Sequence, residues 1–263
     1  MVRPPPGGAG VNEQRFYQIV LAASLAAALG VFALLFYMPA PYGRHARRGW
    51  GVHIPNRLAW LMMEAVSPAG MLVFFLTGSA SGPVPLVFLL LWQAHYIHRA
   101  FIYPFERRDA ASTMPLMVAV MGMIFNLGNA YGNGRYLFHF AAGRYPAAWL
   151  RDPRFLLGFL LFTAGFVINR WADARLRALR QPGESSYKIP QGGLFRFISC
   201  PNYLGEILEW SGWALATWSL PGLVFALWTF ANLAPRASAH HRWYRATFLD
   251  YPPRRRALIP FLW

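Results

Sequence analysis

The chain has 263 residues, 56% of them hydrophobic and only 13% charged, with a formal net charge of +15. Soluble domains carry about 25% charged residues, so this deficit, gathered in long apolar blocks, excludes an ordinary soluble domain and points to a membrane protein. The single cysteine, Cys200, excludes an internal disulfide and a thiolate zinc cluster, and arginines lying between apolar blocks argue for membrane-flanking loops rather than nucleic-acid binding.

The Pro/Gly-rich start predicts a flexible tail over residues 1–15. A membrane span needs about 20 mostly apolar residues. Seven stretches qualify in chain order: Phe16–Met38, Leu58–Leu76, Val84–Ile102, Pro115–Phe140, Pro153–Trp171, Asn202–Leu220 and the short Gly222–Leu233. The first is too long for a typical signal sequence and lacks a clear cleavage site, so it reads as a retained span. The fourth is interrupted by Gly122, Gly128, Gly132 and Gly134, and Ser219-Leu220-Pro221 reads as a tight helical hairpin. The expected fold is all-α, an integral membrane protein of seven transmembrane helices without a Rossmann domain. It forms one membrane domain over 1–263. It has four helices in 16–140 and three helices with their loops in 153–263.

Eighteen basic residues fall in one set of loops, including Arg44, Arg57, Arg107, Arg175, Lys188 and Arg254, against five on the other side. The positive-inside bias puts the N-terminus outside and the C-terminus in the cytoplasm. Arg144, Arg151 and Arg154 form the one discordant loop. Nearly all basic residues are Arg, which with abundant Ala, Gly and Pro suggests a GC-rich genome. The expected location is a bacterial inner membrane, or the endoplasmic reticulum of a eukaryote.

Among the charges inside the apolar stretches, Glu64, Arg99, Glu206 and Glu209 stand out. A charge at bilayer depth costs roughly 2.5–3.5 kcal/mol on insertion scales, so such residues usually face an internal polar site. Glu64 has no basic neighbour within a helical turn. It reads either as a protonated acid able to donate to a carbonyl oxygen or as a structural partner of a distant arginine such as Arg99. Tyr96, Arg99 and Tyr103 share a helix face by their spacing. His95 and His98 lack a third ligand pattern, so no metal is expected. Asn169 and Asp173 are four apart on the fifth span. The loop after them carries Arg175, Arg177 and Arg180 beside Gly183-Glu184-Ser185-Ser186-Tyr187, a composition suited to polyphosphate. Asn202, Glu206 and Glu209 recur at helical spacing in an apolar helix. The C-terminal stretch holds Arg236, His240, His241 and Tyr244, followed by Tyr251-Pro252-Pro253 and three arginines. No GxGxxG occurs, so a nucleotide would be held without a Rossmann fingerprint.

With these segments in view, the chain resembles the steroid 5α-reductase family. The resemblance covers nearly the whole length. It is strongest over Gly183-Glu184-Ser185-Ser186-Tyr187-Lys188-Ile189-Pro190-Gln191-Gly192-Gly193-Leu194-Phe195, over Asn202-Tyr203-Leu204-Gly205-Glu206-Ile207-Leu208-Glu209-Trp210, and in the ending Ala257-Leu258-Ile259-Pro260-Phe261. It implies a seven-span reductase that uses NADPH to reduce a 3-oxo-Δ4-steroid, or another apolar enone, in contact with membrane lipid and as a monomer. By resemblance Glu64 and Tyr96 bind the steroid 3-carbonyl, and Trp60, Met63 and Trp210 contact the steroid. Tyr42, Asn169, Asp173, Arg180, Tyr187, Asn202, Glu206, Arg236, His240 and Tyr244 line the NADPH site. The resemblance thereby implies the substrate pocket for the four helices of 16–140 and the cofactor site for the three helices and loops of 153–263. The animal enzymes carry Gln where this chain has Met63, and Glu106 to Ser112 match poorly. Two alternatives stay open. One is an S-adenosylmethionine-dependent prenylcysteine methyltransferase, which shares the Asn-Tyr-x-Gly-Glu element. The other is a non-catalytic sterol- or lipid-binding membrane protein.

Overall fold

The computed structural model describes residues 7–38, 51–106, 112–179 and 187–263. Tyr42 and Arg180, both expected at the cofactor, lie outside the described residues, as does the loop segment 183–186. The described chain is mostly helical, and the seven apolar stretches fall mainly on helical segments, Leu58–Leu76 being divided between two. Among the described residues, three helical stretches are long and apolar enough to cross a membrane: Asn12–Tyr37, Asn56–Thr77 and Pro153–Ala178.

Helix α1 runs Gly7–Tyr37. It starts well before Phe16, so part of the expected tail is helical. Apolarity marks the lipid-facing length of a helix, not its whole length, and Glu13 in the polar extension is held by Arg135 at 2.6 Å. Ile19, Leu29 and Leu34 on α1 are exposed, as suits a helix bathed in lipid.

Helices α2 (Asn56–Glu64) and α3 (Val66–Thr77) meet at Ala65. Pro68 explains the break. It has no N–H to return to the carbonyl four residues back, which is that of Glu64. The break leaves Glu64 at a helix end. Helix α4 (Pro83–Ile97) runs on through a π-helical turn, His98–Ile102, into the short α5 (Tyr103–Glu106). Such wide turns are rare and often found at functional sites. Helix α6 (Leu116–Arg135) likewise ends in a π-helical turn, Tyr136–Phe140.

One small departure from the all-α expectation is a two-stranded antiparallel sheet. Strand β1 (His53–Pro55) pairs with β2 (Thr113–Pro115). Three-residue strands carry no hydrophobic period that a sequence reading could detect. Their prolines, with extended ψ near 130°, cap α2 and α6. The sheet therefore fixes the starts of α2 and α6 side by side, and with them the relative heights of Glu64 and Asn126.

Helix α7 (Pro153–Ala178) packs against α8 (Pro201–Thr217) more intimately than any other pair. Gly158 and Gly165 on α7 face Gly212 and Gly205 on α8. A Cβ added at Gly165 would lie 2.3 Å from the backbone nitrogen of Glu209, and one at Gly205 would lie 2.4 Å from that of Asn169. Only glycine permits this backbone approach, the small-residue packing common between membrane helices. After α8 the chain reverses at Trp218, a left-handed residue, and Ser219 caps α9 (Leu220–Thr247). The last stretch, expected to end at Leu233, continues helically past Pro235 to Thr247. The apolar signal stops there because the helix turns polar, not because it ends. The core between the helices is aromatic: Phe88, Trp92, Phe138, Trp210 and Trp213 are fully buried. Trp92 donates to Ser67 Oγ and Trp213 to Asn133 Oδ1, so the indole N–H groups stay satisfied.

Candidate active site

The intramembrane charges do not stand alone. Tyr96, near the end of α4, donates to Asn126 Oδ1 at 3.2 Å. The same amide donates through Nδ2 to Glu64 Oε2 at 3.2 Å and to the Met63 carbonyl at 2.8 Å. Asn129, one turn along α6, donates to the Tyr96 hydroxyl at 3.4 Å. The two residues expected at one carbonyl are thus joined by a single side chain.

Glu64 also has the counter-charge that its own helix lacks. The π-helical turn after α4 carries Arg99, whose Nε is 3.7 Å from Glu64 Oε1 and whose Nη2 is 4.0 Å from Glu206 Oε2. The guanidinium lies over the rings of Trp60, at 4.5 Å, and Tyr103, at 4.9 Å. Both readings of Glu64 therefore find a partner in the structure. The ion-pair distances exceed hydrogen-bond length, so the carboxyl is neighboured by Arg99 rather than clamped by it.

From Glu206 the polar path continues between α7 and α8. Asn169 donates to the Asn202 carbonyl at 3.0 Å and reaches Glu206 Oε2 at 3.5 Å. Asn202 donates to Asp173 Oδ1 at 3.2 Å. Asn169 and Asp173 are buried. The glycine contacts of α7 with α8 make this cluster close enough to bond. On α9, His240 Nε2 is 3.0 Å from the Tyr203 hydroxyl, and Arg236 lies 5.4 Å from the centre of the same ring. Tyr244 stacks on Tyr251, and Tyr187 meets Trp243 edge-on. Arg236 and His240 thus meet Tyr203, the residue that follows Asn202 on α8.

Trp210 is buried against Tyr96, Trp92 and Phe225, with ring centres 4.2 Å apart for the last. Phe225 in turn lines a cleft of about 360 Å³ between α1, α6 and the start of α9, with Tyr17, Ser24, Asn129, Asn133 and Trp228. Helix α9, assigned to the cofactor half, therefore also lines this cleft. Of the residues expected at substrate, Tyr96 reaches this cleft through Asn129, and Trp210 reaches it through Phe225. Trp60 and Met63 pack instead with Ala59, Met114 and Ala119.

A basic cluster sits at the end of the α4 extension. Glu106 Oε2 is 3.1 Å from Arg177 Nη2 and 3.4 Å from Arg170 Nη2. Arg177 Nη1 is buried with no hydrogen-bond partner among the described residues. An orphaned guanidinium nitrogen at the polar end of the site is suited to a phosphate.

Several of these groups were not singled out in the sequence. Asn126 is the main one. The signal was available, since Asn126, Asn129 and Asn133 recur at helical spacing in an otherwise apolar helix, masked by the more visible glycines. His95, dismissed as a metal ligand, pairs instead with Glu209.

Together these features define a helical membrane protein with a largely buried cluster of polar groups between its helices. A sequence profile of the family described as 3-oxo-5-alpha-steroid 4-dehydrogenase matches residues 112–263. The chain is 42% identical to the Homo sapiens protein 3-oxo-5-alpha-steroid 4-dehydrogenase 1 over 257 residues, 96% of this chain and 98% of that protein. It is 46% identical to 3-oxo-5-alpha-steroid 4-dehydrogenase 2 of Sus scrofa over 92% of this chain and 96% of that one. It is 41% identical to steroid 5-alpha-reductase DET2 of Gossypium hirsutum over 96% and 99%. The chain belongs to the 3-oxo-5-alpha-steroid 4-dehydrogenase family, and is an oxidoreductase of steroid metabolism. This membership decides between the two enzyme classes that share the Asn-Tyr-x-Gly-Glu element.

Proposed function

We propose that this chain is a seven-span, monomeric membrane enzyme that reduces the C4=C5 double bond of a 3-oxo-Δ4-steroid to the 5α-3-oxosteroid with NADPH. The observation that carries the proposal is the unbroken polar path from Tyr96 through Asn126, Glu64, Arg99 and Glu206 to Asn169, Asn202 and Asp173. It joins the side chains expected at the substrate carbonyl to those expected at the cofactor.

NADPH, when bound, supplies the hydride equivalent added to C5. The protein's part is electrostatic. As C5 accepts the electron pair, the π electrons of the enone move to the 3-oxygen, and Tyr96 donates a hydrogen bond there with Glu64 as a protonated second donor. Oxygen-directed donors of this kind are each worth roughly 3–4 kcal/mol. A proton delivered to C4 then restores the ketone, so one NADPH and one proton are consumed per double bond. Arg99 balances Glu206 and keeps Glu64 in reach. The apolar cleft beside Asn129 and Phe225 suits a flat substrate entering from lipid.

The nucleotide fits the other half. Arg177, with its buried orphan nitrogen, would hold phosphate together with Arg180 and Arg236. Asn169, Asp173, Asn202 and Glu206, with Tyr42, Tyr187, His240 and Tyr244, would hold the remaining polar groups. The Arg-rich loops support a cytoplasmic position for this half, with the N-terminus outside.

The test is direct. Protein purified in detergent is given NADPH with progesterone or testosterone, NADPH absorbance is followed, and the steroid product is identified. Stoichiometric oxidation with a 5α-reduced product is expected. No NADPH consumption with either steroid, or a 5β product, overturns the reading.

A further inference from the structure

His95 and Glu209 form a pair that the chemistry above does not use. His95 Nδ1 lies 2.8 Å from Glu209 Oε1, and the two side chains are 7% and 0% exposed. The residues come from different helices, α4 and α8, and from opposite halves of the proposed site. His95 directly precedes Tyr96. Glu209 directly precedes Trp210 and lies one helical turn beyond Glu206.

The surroundings make this pair more than a stray polar contact. The imidazole packs edge-on against the rings of both Tyr96, at 4.9 Å, and Trp210, at 4.7 Å, which also meet each other at 5.7 Å. The Glu209 backbone is pinned against Gly165 of α7, where even a methyl group would not fit. Its second oxygen, Oε2, is buried with no hydrogen-bond partner among the described residues. Glu209 is therefore anchored on the rigid α7–α8 unit, and its visible polar tie leads to the residue beside Tyr96. Buried polar groups are costly unless bonded. Apolar residues of similar size would fill this space without that penalty.

We propose that His95 and Glu209 are positioning residues, a buried strut between α4 and α8 that sets the place of the Tyr96 ring relative to the cofactor-holding face of α8. The proposal rests on the reading of Tyr96 as the carbonyl donor. Tyr96 is fixed at its hydroxyl by Asn126 and Asn129 on α6. The strut fixes the other end of its ring to α8. Hydride transfer depends steeply on the spacing of the two reacting carbons, and a misplacement of about 1 Å can cost on the order of 100-fold.

The test separates positioning from stability. His95→Phe keeps a ring against Tyr96 and Trp210 but removes the tie, and it strands the Glu209 carboxyl. Glu209→Leu strands the imidazole instead. The double variant removes both polar groups, which is often nearly neutral for stability. Glu209→Gln keeps a hydrogen-bond partner for Nδ1. Steady-state rates per folded enzyme are measured with progesterone and NADPH, and with NADPH deuterated at the transferred position. Each single variant and the double variant should lose on the order of tenfold or more in kcat, with KM for both substrates within about threefold and a larger isotope effect. Glu209→Gln should restore most of the rate. A double variant with wild-type melting temperature and wild-type kcat reduces the pair to packing and overturns the proposal.

A second readout does not depend on turnover. Fluorotyrosine placed at position 96 should give one narrow ¹⁹F resonance in the parent and in Glu209→Gln, and a shifted or split resonance in the double variant. An unchanged resonance in the double variant also overturns the strut. If the parent protein fails to oxidise NADPH with any steroid, the functional reading fails, while the resonance still decides whether the strut holds Tyr96.

Discussion

Tyr96 donates to Asn126 Oδ1 at 3.2 Å, and the other end of that amide donates to Glu64. One side chain on α6 thus sets the separation of two groups that lie on different helices and are far apart in sequence. If both serve one oxygen as charge builds on it, Glu64→Gln and Tyr96→Phe should each lower kcat by on the order of 100-fold with smaller changes in KM. The double variant should fall far short of the product of the two effects. Asn126→Leu should lower kcat as well, because it frees both donors at once. Rates near the parent value in folded Glu64→Gln would return that residue to a structural role.

Arg99 is the hinge of the charge balance. It lies between Glu64 and Glu206 and is sandwiched against Trp60 and Tyr103. Removing one member of a buried charge cluster typically costs about 3–5 kcal/mol. Arg99→Leu should therefore reduce the yield of folded protein sharply. Arg99→Lys keeps the charge but loses the planar stacking, so it should fold and be only partly active. Thermal unfolding of the two variants in detergent distinguishes them. Equal melting temperatures for Arg99→Leu and the parent would contradict the assigned balance.

The helix positions were legible because lipid demands long apolar runs, and the residues that break that rule, Glu64, Arg99, Glu206 and Glu209, were visible as exceptions. What could not be read was which exceptions meet. For Glu64 the sequence offered Arg99 only as one of two readings, since this arginine arrives from another helix on a π-helical turn, and no local spacing announces such a turn. Asn126 was hidden for a different reason. An asparagine carries no charge, and neighbouring glycines drew the attention in the same helix. The extension of α9 past Leu233 was missed because hydropathy reports the surroundings of a helix rather than its hydrogen bonds.

The α7–α8 contact gives a packing prediction. A methyl group at Gly205 would meet the Asn169 backbone at 2.4 Å, where neither helix has a flexible atom to yield. Overpacking of this kind costs about 1–3 kcal/mol or more. Gly205→Ala should lower the melting temperature and raise KM for NADPH, since Asn169, Asn202 and Glu206 are brought together by that contact. Gly30→Ala on α1, where nothing lies within 4 Å of an added Cβ, is the control and should be tolerated. A Gly205→Ala protein as stable as the control would mean that the helices can separate freely.

The cofactor assignment is tested on two residues. Asn202 links α8 to Asp173, and Arg236 lies over the Tyr203 ring. A hydrogen bond to a charged group is worth about 1.5–3 kcal/mol. Asn202→Ala and Arg236→Ala should therefore each raise the NADPH requirement by roughly tenfold or more, with the steroid KM little changed. Titration with NADPH, read by its fluorescence, measures this directly. Unchanged NADPH affinity in both variants would remove them from the site.

The last prediction concerns the loop that opens α7, outside the apolar stretch. Asp152 caps the helix by accepting from the Arg154 backbone N–H at 2.9 Å, and its carboxylate also grips the Arg154 side chain. The Arg154 side-chain hydrogen bonds, and then that backbone bond, hold the Asp152 carboxyl down from its ordinary 3.8 to about 2. A carboxyl depressed in the folded state contributes its full stability above the unfolded value and loses it as the pH falls through the folded one. Asp152→Asn keeps a capping oxygen and removes the charge. The gap in melting temperature between parent and Asp152→Asn should be constant from neutral pH to about pH 4 and close between about pH 4 and pH 2. Because the pair is exposed, the gap should also shrink in high salt. A gap that persists undiminished at pH 2 would mean that it does not arise from the charge of Asp152 and would overturn the assignment.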